Sequence, residues 1–131
     1  ARMTPGLLAD LRATNEDFAA AMASPSRGNP VRINQQLHFM IYDAAESPTL
    51  SRIIATNWLR AGPMIHLDIG LPTRAKRNTI SLAAHRTMLE GLAEGDADKA
   101  ARALRDDIEL TAESIIRNTL TEGGDQNGPG A

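Results

Sequence analysis

Cysteine is missing from all 131 residues, which excludes a disulfide framework, thiolate metal ligands and thiol catalysis. Aromatic residues are scarce as well: Phe18, Phe39, Tyr42 and Trp58 together make up 3%. With so few of them, and few β-branched runs, the sequence argues against a sandwich or barrel core. Neither sign of charge dominates. Fourteen basic against sixteen acidic residues leave a net charge of −2, which gives no reason to expect nucleic-acid binding by this chain itself. No apolar run approaches a membrane span, and the first residues do not read as a signal peptide. What is present is alanine, leucine and isoleucine at helical spacing, with 42% hydrophobic and 23% charged residues, enough for the core of one domain. These features predict a soluble, intracellular-type, all-helical domain. Position 1 is Ala and the first Met is Met3, which suggests a piece of something longer.

The periodicity predicts about five helices joined by short loops. Thr4 and Pro5 read as an N-cap and first helical position, with Leu7, Leu8, Leu11, Phe18 and Met22 on one stripe to about Ala23. A breaker cluster over 24–30 separates this from a second helix running from about Pro30 to Ala45. A third begins after Ser47-Pro48 and meets Gly62-Pro63, where a kink or break is predicted, followed by a loop from Asp68 to Thr73. The fourth spans roughly Thr73 to Glu94 and ends at Gly95, with Ile80, Met88, Leu89 and Leu92 inward. Asp96 caps the fifth, whose predicted inner residues are Ala97, Ala100, Leu104, Ile108, Ala112, Ile115 and Ile116. The sum is an all-α antiparallel bundle of about five to six helices over 1–121 with a central polar pocket, and a flexible Gly-rich tail over 122–131.

Several inward positions hold residues that a helical core would not choose. His85 lies three residues before Met88 and four before Leu89, inside an apolar stripe. Asn34 and His38 are i,i+4 and share a face beside Leu37. Asp107 follows Leu104 by three and precedes Thr111 by four, and a buried carboxylate needs a partner. Two imidazoles, one carboxylate and one amide oxygen on three inner faces could hold a divalent cation, zinc, nickel, manganese or iron. They could equally be core residues that satisfy one another. His66, after Pro63, reads as a surface or loop residue without a companion at ligand spacing. Asn57, Asn78 and Ser81 also face inward and could line a small polar pocket or bond one another. Arg74, Lys76 and Arg77 read as a solvated face at a helix start. No His-Glu-x-x-His, Gly-x-Ser-x-Gly, paired Glu-x-x-His or phosphate-binding glycine loop is present, so no enzyme is predicted. A helical metalloenzyme and a plain dimerisation bundle remain as rival readings.

Two stretches carry a resemblance. NQQLHFMIYDAAESPTL over 34–50 resembles an Asp/Asn-x-x-Phe-His motif followed by Ala-x-x-Asn-Pro-x-Leu. HRTMLEGLAEGDADKAA over 85–101, the more specific of the two, resembles His-x-x-Ile-Leu-x-Ala-Leu-x-x-Gly-Asp-x-x-x-Ala. Both motifs are those of the FadR-type C-terminal (FCD) domain, the effector-binding and dimerising half of GntR-superfamily transcription regulators. The likeness runs from about Met3 to Thr119; the usual first helix and the preceding winged helix-turn-helix have no counterpart in these residues. It implies a helical bundle around a pocket, often with a divalent metal bound by an Asp or Asn and three His. Carried over, those ligands fall on Asn34, His38, His85 and Asp107, with Asn where Asp is common and Asp where the last His is usual. The acidic residue usual before His85 is Ala84 here. The resemblance further implies a small carboxylate effector, held with the help of Asn57, Asn78, Ser81 and Arg60. It also implies a cytoplasmic homodimer that meets DNA only through its N-terminal domain.

Overall fold

A computed structural model describes the backbone of residues 3–70 and 75–122, and side chains over 3–24, 26–65 and 79–117. Five α-helices account for most of it: α1 Pro5–Ala23, α2 Pro30–Asp43, α3 Pro48–Gly70, α4 Ala75–Glu94 and α5 Ala97–Glu122, with one 3₁₀ turn at Pro25–Arg27. No strand occurs among the described residues. The domain is all-α, as its periodicity predicts.

Local chemistry sets the helix ends. The Thr4 hydroxyl accepts from the Leu7 N–H at 3.1 Å, with Pro5 in the first turn where its missing N–H matters least. The Asn29 Oδ1 accepts from the Val31 and Arg32 N–H groups at 3.0 and 3.3 Å, again ahead of a proline. Gly95 ends α4 at φ +73°, and the Asp96 N–H reaches back to the Gly91 carbonyl at 2.9 Å, the bond that closes a left-handed helix end. The Asp96 carboxylate then caps α5 by accepting from the Lys99 N–H at 2.8 Å.

The helices close a ring. α1 packs on α2, α2 on α3, α3 on α5, α5 on α4 and α4 back on α1. One end is filled by Leu11, Leu37 and Leu89, with Met3, Leu7, Met40, Ile41 and Leu92 packed against them. The centre of the ring is left to a cavity.

Three expectations are corrected. The helix α3 runs through Gly62-Pro63 to Gly70 without a break, so of the two places read for His66, surface or loop, the loop is excluded, and its side chain lies outside the described residues. Proline removes one backbone bond, but the helix is held on both sides of it by half-buried Trp58 and buried Ile65. On α5 the buried row is Ala100, Ala103, Asp107 and Ser114, whereas Ile108 and Ile116 are 50% and 59% exposed. On α4 it is Ser81, His85, Met88 and Leu89, with Ile80 turned outward. At the turn that joins them α4 and α5 approach closely. A Cβ placed on buried Gly91 would lie 2.7 Å from the Ala100 backbone nitrogen and 3.1 Å from the Asp96 carbonyl oxygen, so this seam takes small residues. Gly91→Ala should therefore destabilise the chain by about 1–3 kcal/mol or more, because backbone and not a flexible side chain must yield. Urea denaturation of the two chains measures the difference; equal midpoints would show that the seam can open. The tail over 123–131 and the Asn78 side chain lie outside the described residues.

Candidate metal and effector site

Three helices bring the unusual inward residues together at the centre of the ring. His38 comes from α2, one position after Leu37, and is 2% exposed. His85 comes from α4 and is fully buried; Asp107 comes from α5 and is 4% exposed. The Nε2 atoms of the two histidines are 3.3 Å apart, and each lies 3.3 Å from Asp107 Oδ2. The three atoms thus form a near-equilateral triangle.

Each vertex is held from behind. His85 Nδ1 lies 3.0 Å from Asn15 Oδ1, which comes from α1. An amide oxygen can only accept, so Nδ1 carries the hydrogen and a neutral His85 turns a bare Nε2 towards Asp107. Two acceptors facing one another attract only if a cation, a proton or a metal ion, lies between them. His38 Nδ1 lies 3.2 Å from the Tyr42 hydroxyl, and its ring is flanked by Tyr42 and Trp58 with centroids 6.0 Å away. The Ser81 hydroxyl donates to Asp107 Oδ1, which leaves Oδ2 for the centre. Phe18 covers His85 at 5.3 Å between centroids.

Electrostatics follow from burial. Burial pushes the Asp107 carboxyl up, but once a proton lies between it and the imidazoles, the hydrogen bonds from His38 and His85 and the charges they then carry outweigh it and hold the group well below the usual carboxylate range. The Tyr42 phenol is pushed up to about 12 by burial and by the Asp107 charge, so it stays neutral beside His38.

A cavity of about 610 Å³ opens above this floor. Asn34, His38, Ser81 and Asp107 line its base, and Leu50, Ile54, Trp58, Ile65, Leu104 and Ile115 form much of its wall. Asn34 Oδ1 is buried without a hydrogen-bond partner in the protein, which a buried amide oxygen does not tolerate without something else to bind. Of the residues expected to hold an effector, Asn57 and Ser81 line the cavity. Arg60 is exposed on α3 and is not among its lining residues. Asn15, Tyr42 and Trp58 belong to the site although the sequence reading did not single them out for it. Asn15 carried a signal nonetheless: it sits between Leu11 and Phe18 on the buried face of α1.

The donor set fits a small divalent ion. Tetrahedral coordination with bonds of about 2.0–2.1 Å sets ligand atoms roughly 3.3–3.4 Å apart, whereas octahedral coordination at the same length brings neighbours to about 3.0 Å. The observed edges of 3.3 Å are short enough for one ion to be reached by all three atoms. Nitrogen and carboxylate oxygen are ligands that such an ion takes, and Asn34, whose side-chain oxygen is buried and unpaired, is among the residues lining the same cavity.

Asn15 acts on the site through His85. Asn15→Ala should weaken metal binding by about 10–100-fold, the range found when such outer partners are lost, and Asn15→Asp should restore it. Titration of zinc into the metal-free variants reads this directly. An unchanged affinity in Asn15→Ala would mean that the Nδ1 contact does not orient the ring.

A ring of helices around a buried polar cluster with a large cavity above it is the architecture of a ligand-binding domain. The FCD domain model matches residues 1–110, and the chain belongs to that family. FCD domains are regulatory ligand-binding domains, and membership implies the effector-binding domain of a GntR-family regulator. No curated protein and no solved structure matches the chain. Among the described residues no helix is long and apolar enough to cross a membrane.

Proposed function

We propose that the chain is the sensing and dimerising part of a transcription regulator that binds a small carboxylate effector through a zinc ion. The observation that carries this reading is the 3.3 Å triangle of His38 Nε2, His85 Nε2 and Asp107 Oδ2, a compact set of two imidazole nitrogens and one carboxylate oxygen of the kind zinc takes. His38, His85 and Asp107 would hold the ion, with Asn34 beside them. When bound, it supplies a positive charge at the floor of a cavity whose described lining residues include one acid, Asp107, and no lysine or arginine. Asn34, with its unpaired oxygen, and Asn57 on the wall orient the effector. Ser81 fixes Asp107, and Asn15 and Tyr42 fix the two imidazoles. Asn78 remains a candidate of the same set; Arg60 would reach the effector only by turning in from the surface of α3.

Control would work by population shift: an effector that fits one packing of the ring better than another biases it, and DNA-binding domains outside this chain are re-spaced. Ile53 and Leu59 on α3, 55% and 79% exposed, supply apolar surface that a second copy of the chain would cover. The test is calorimetry of small carboxylates into metal-free and zinc-loaded chain. Binding that needs zinc supports the reading. A zinc-loaded chain that takes no carboxylate refutes it.

A further inference from the structure

We infer that the effector is a monocarboxylate with a bulky apolar body, alkyl or aryl, in preference to a dicarboxylate, hydroxy acid or sugar acid; this rests on the zinc-anchored reading above and narrows it. Three observations converge. The first is charge. No lysine or arginine is found among the described residues lining the cavity, and Asp107 is the only acid there. A divalent ion on two neutral imidazoles and one carboxylate leaves a single positive charge. One effector carboxylate neutralises it. A second would sit uncompensated against a largely apolar wall, where charge is disfavoured.

The second observation is the distribution of polar groups. They gather at the floor, and several are already engaged: Ser81 with Asp107, and Tyr42 with His38. Above the floor, among the described residues, Asn57 and Thr111 are the side chains that break a wall made by residues such as Leu50, Ile54, Trp58, Leu104 and Ile115. A polyhydroxylated body would lose water from most of its hydroxyls and find two side chains to replace it. The third is size and exposure. About 610 Å³ is far more than a two- or three-carbon acid fills, and the wall residues Leu50 and Ile108 are still 46% and 50% exposed. An apolar body seated on the floor would cover them.

Trp58 is the single tryptophan and lines the cavity, so its emission reports occupancy. Octanoate and 4-phenylbutanoate are titrated into the chain with and without zinc, beside lactate, malonate and gluconate. With zinc, the two apolar acids should bind tighter than the three polar ones by about tenfold or more, since each additional buried methylene adds to affinity. Ala112→Phe, at an exposed wall position that tolerates bulk, should weaken octanoate by about tenfold through lost room while its helical circular dichroism stays unchanged. Tighter binding of malonate or gluconate than of octanoate overturns the inference and leaves zinc anchoring standing. Equal octanoate binding with and without zinc overturns the anchoring and leaves the apolar body standing. No binding of any acid overturns both.

Discussion

Asp107→Asn should weaken zinc binding by more than about 100-fold, a larger loss than an outer partner gives, because it removes the only carboxylate of the cluster. The geometry leaves the amide no good alternative. If its oxygen keeps the Ser81 hydroxyl, as Asp107 Oδ1 does, its NH₂ group faces the two Nε2 atoms and cannot ligate an ion. The same substitution should alter the response to acid. The folded-state Asp107 is held below its ordinary value, so its stabilisation is present in full above the unfolded value of about 3.9 and is lost as the pH falls through the folded one. With the imidazoles protonated on both sides of the comparison, wild type should therefore exceed Asp107→Asn in metal-free stability at pH 5, and the gap should narrow towards pH 3. Urea denaturation at the two pH values decides it. A gap that is constant or grows in acid would mean that the histidines do not stabilise the carboxylate.

His85→Leu should abolish stabilisation by zinc. A ligand that binds only the folded state at a hundredfold over its Kd contributes about 2.7 kcal/mol, on the order of 8 °C in Tm for a domain of this size. Wild type should show that rise on adding zinc and the variant none. The metal-free variant should also lose about 1–3 kcal/mol, because Asn15 Oδ1 and Asp107 Oδ2 each lose a buried partner. If the three residues only satisfied one another, zinc would raise neither chain. Thermal denaturation of both chains, with and without zinc, separates the two cases.

Much of this site is legible in the sequence for one physical reason. Helical spacing fixes which side chains share a face, so His38, His85 and Asp107 stand out as polar residues in rows that ought to be apolar. What spacing does not give is the partner across the ring. Asn15 is as misplaced on its face as His85, yet its role depends on a histidine 70 residues away. The fifth helix misleads for a different reason. Counting large apolar residues puts Ile108 and Ile116 inside, but the row of Ala100, Ala103, Asp107 and Ser114 turns inward, with Ala100 against Gly91 at the turn and Asp107 against Ser81 and His85 further along. Ile108 is left on the cavity wall, where its exposure has a use. Proline is the third case. Pro63 predicts a break by local rules, while packing of Trp58 and Ile65 on either side of it carries α3 through.

In the proposed ligand set, the departures from the family motif would keep the charge while changing the ligands. Asn34 and Asp107 exchange a carboxylate for an amide at one corner and an imidazole for a carboxylate at another, so the set still carries one negative charge. The carboxylate now comes from α5, at the end of the ring that Ser81 braces.

Equilibrium dialysis of the metal-free chain against zinc, followed by elemental analysis, tests the zinc centre most directly. The account predicts about one zinc per chain, retained at low micromolar free zinc or below, and none in His85→Ala. A chain that takes up no zinc even from excess, or a His85→Ala chain that takes up as much as wild type, would contradict it.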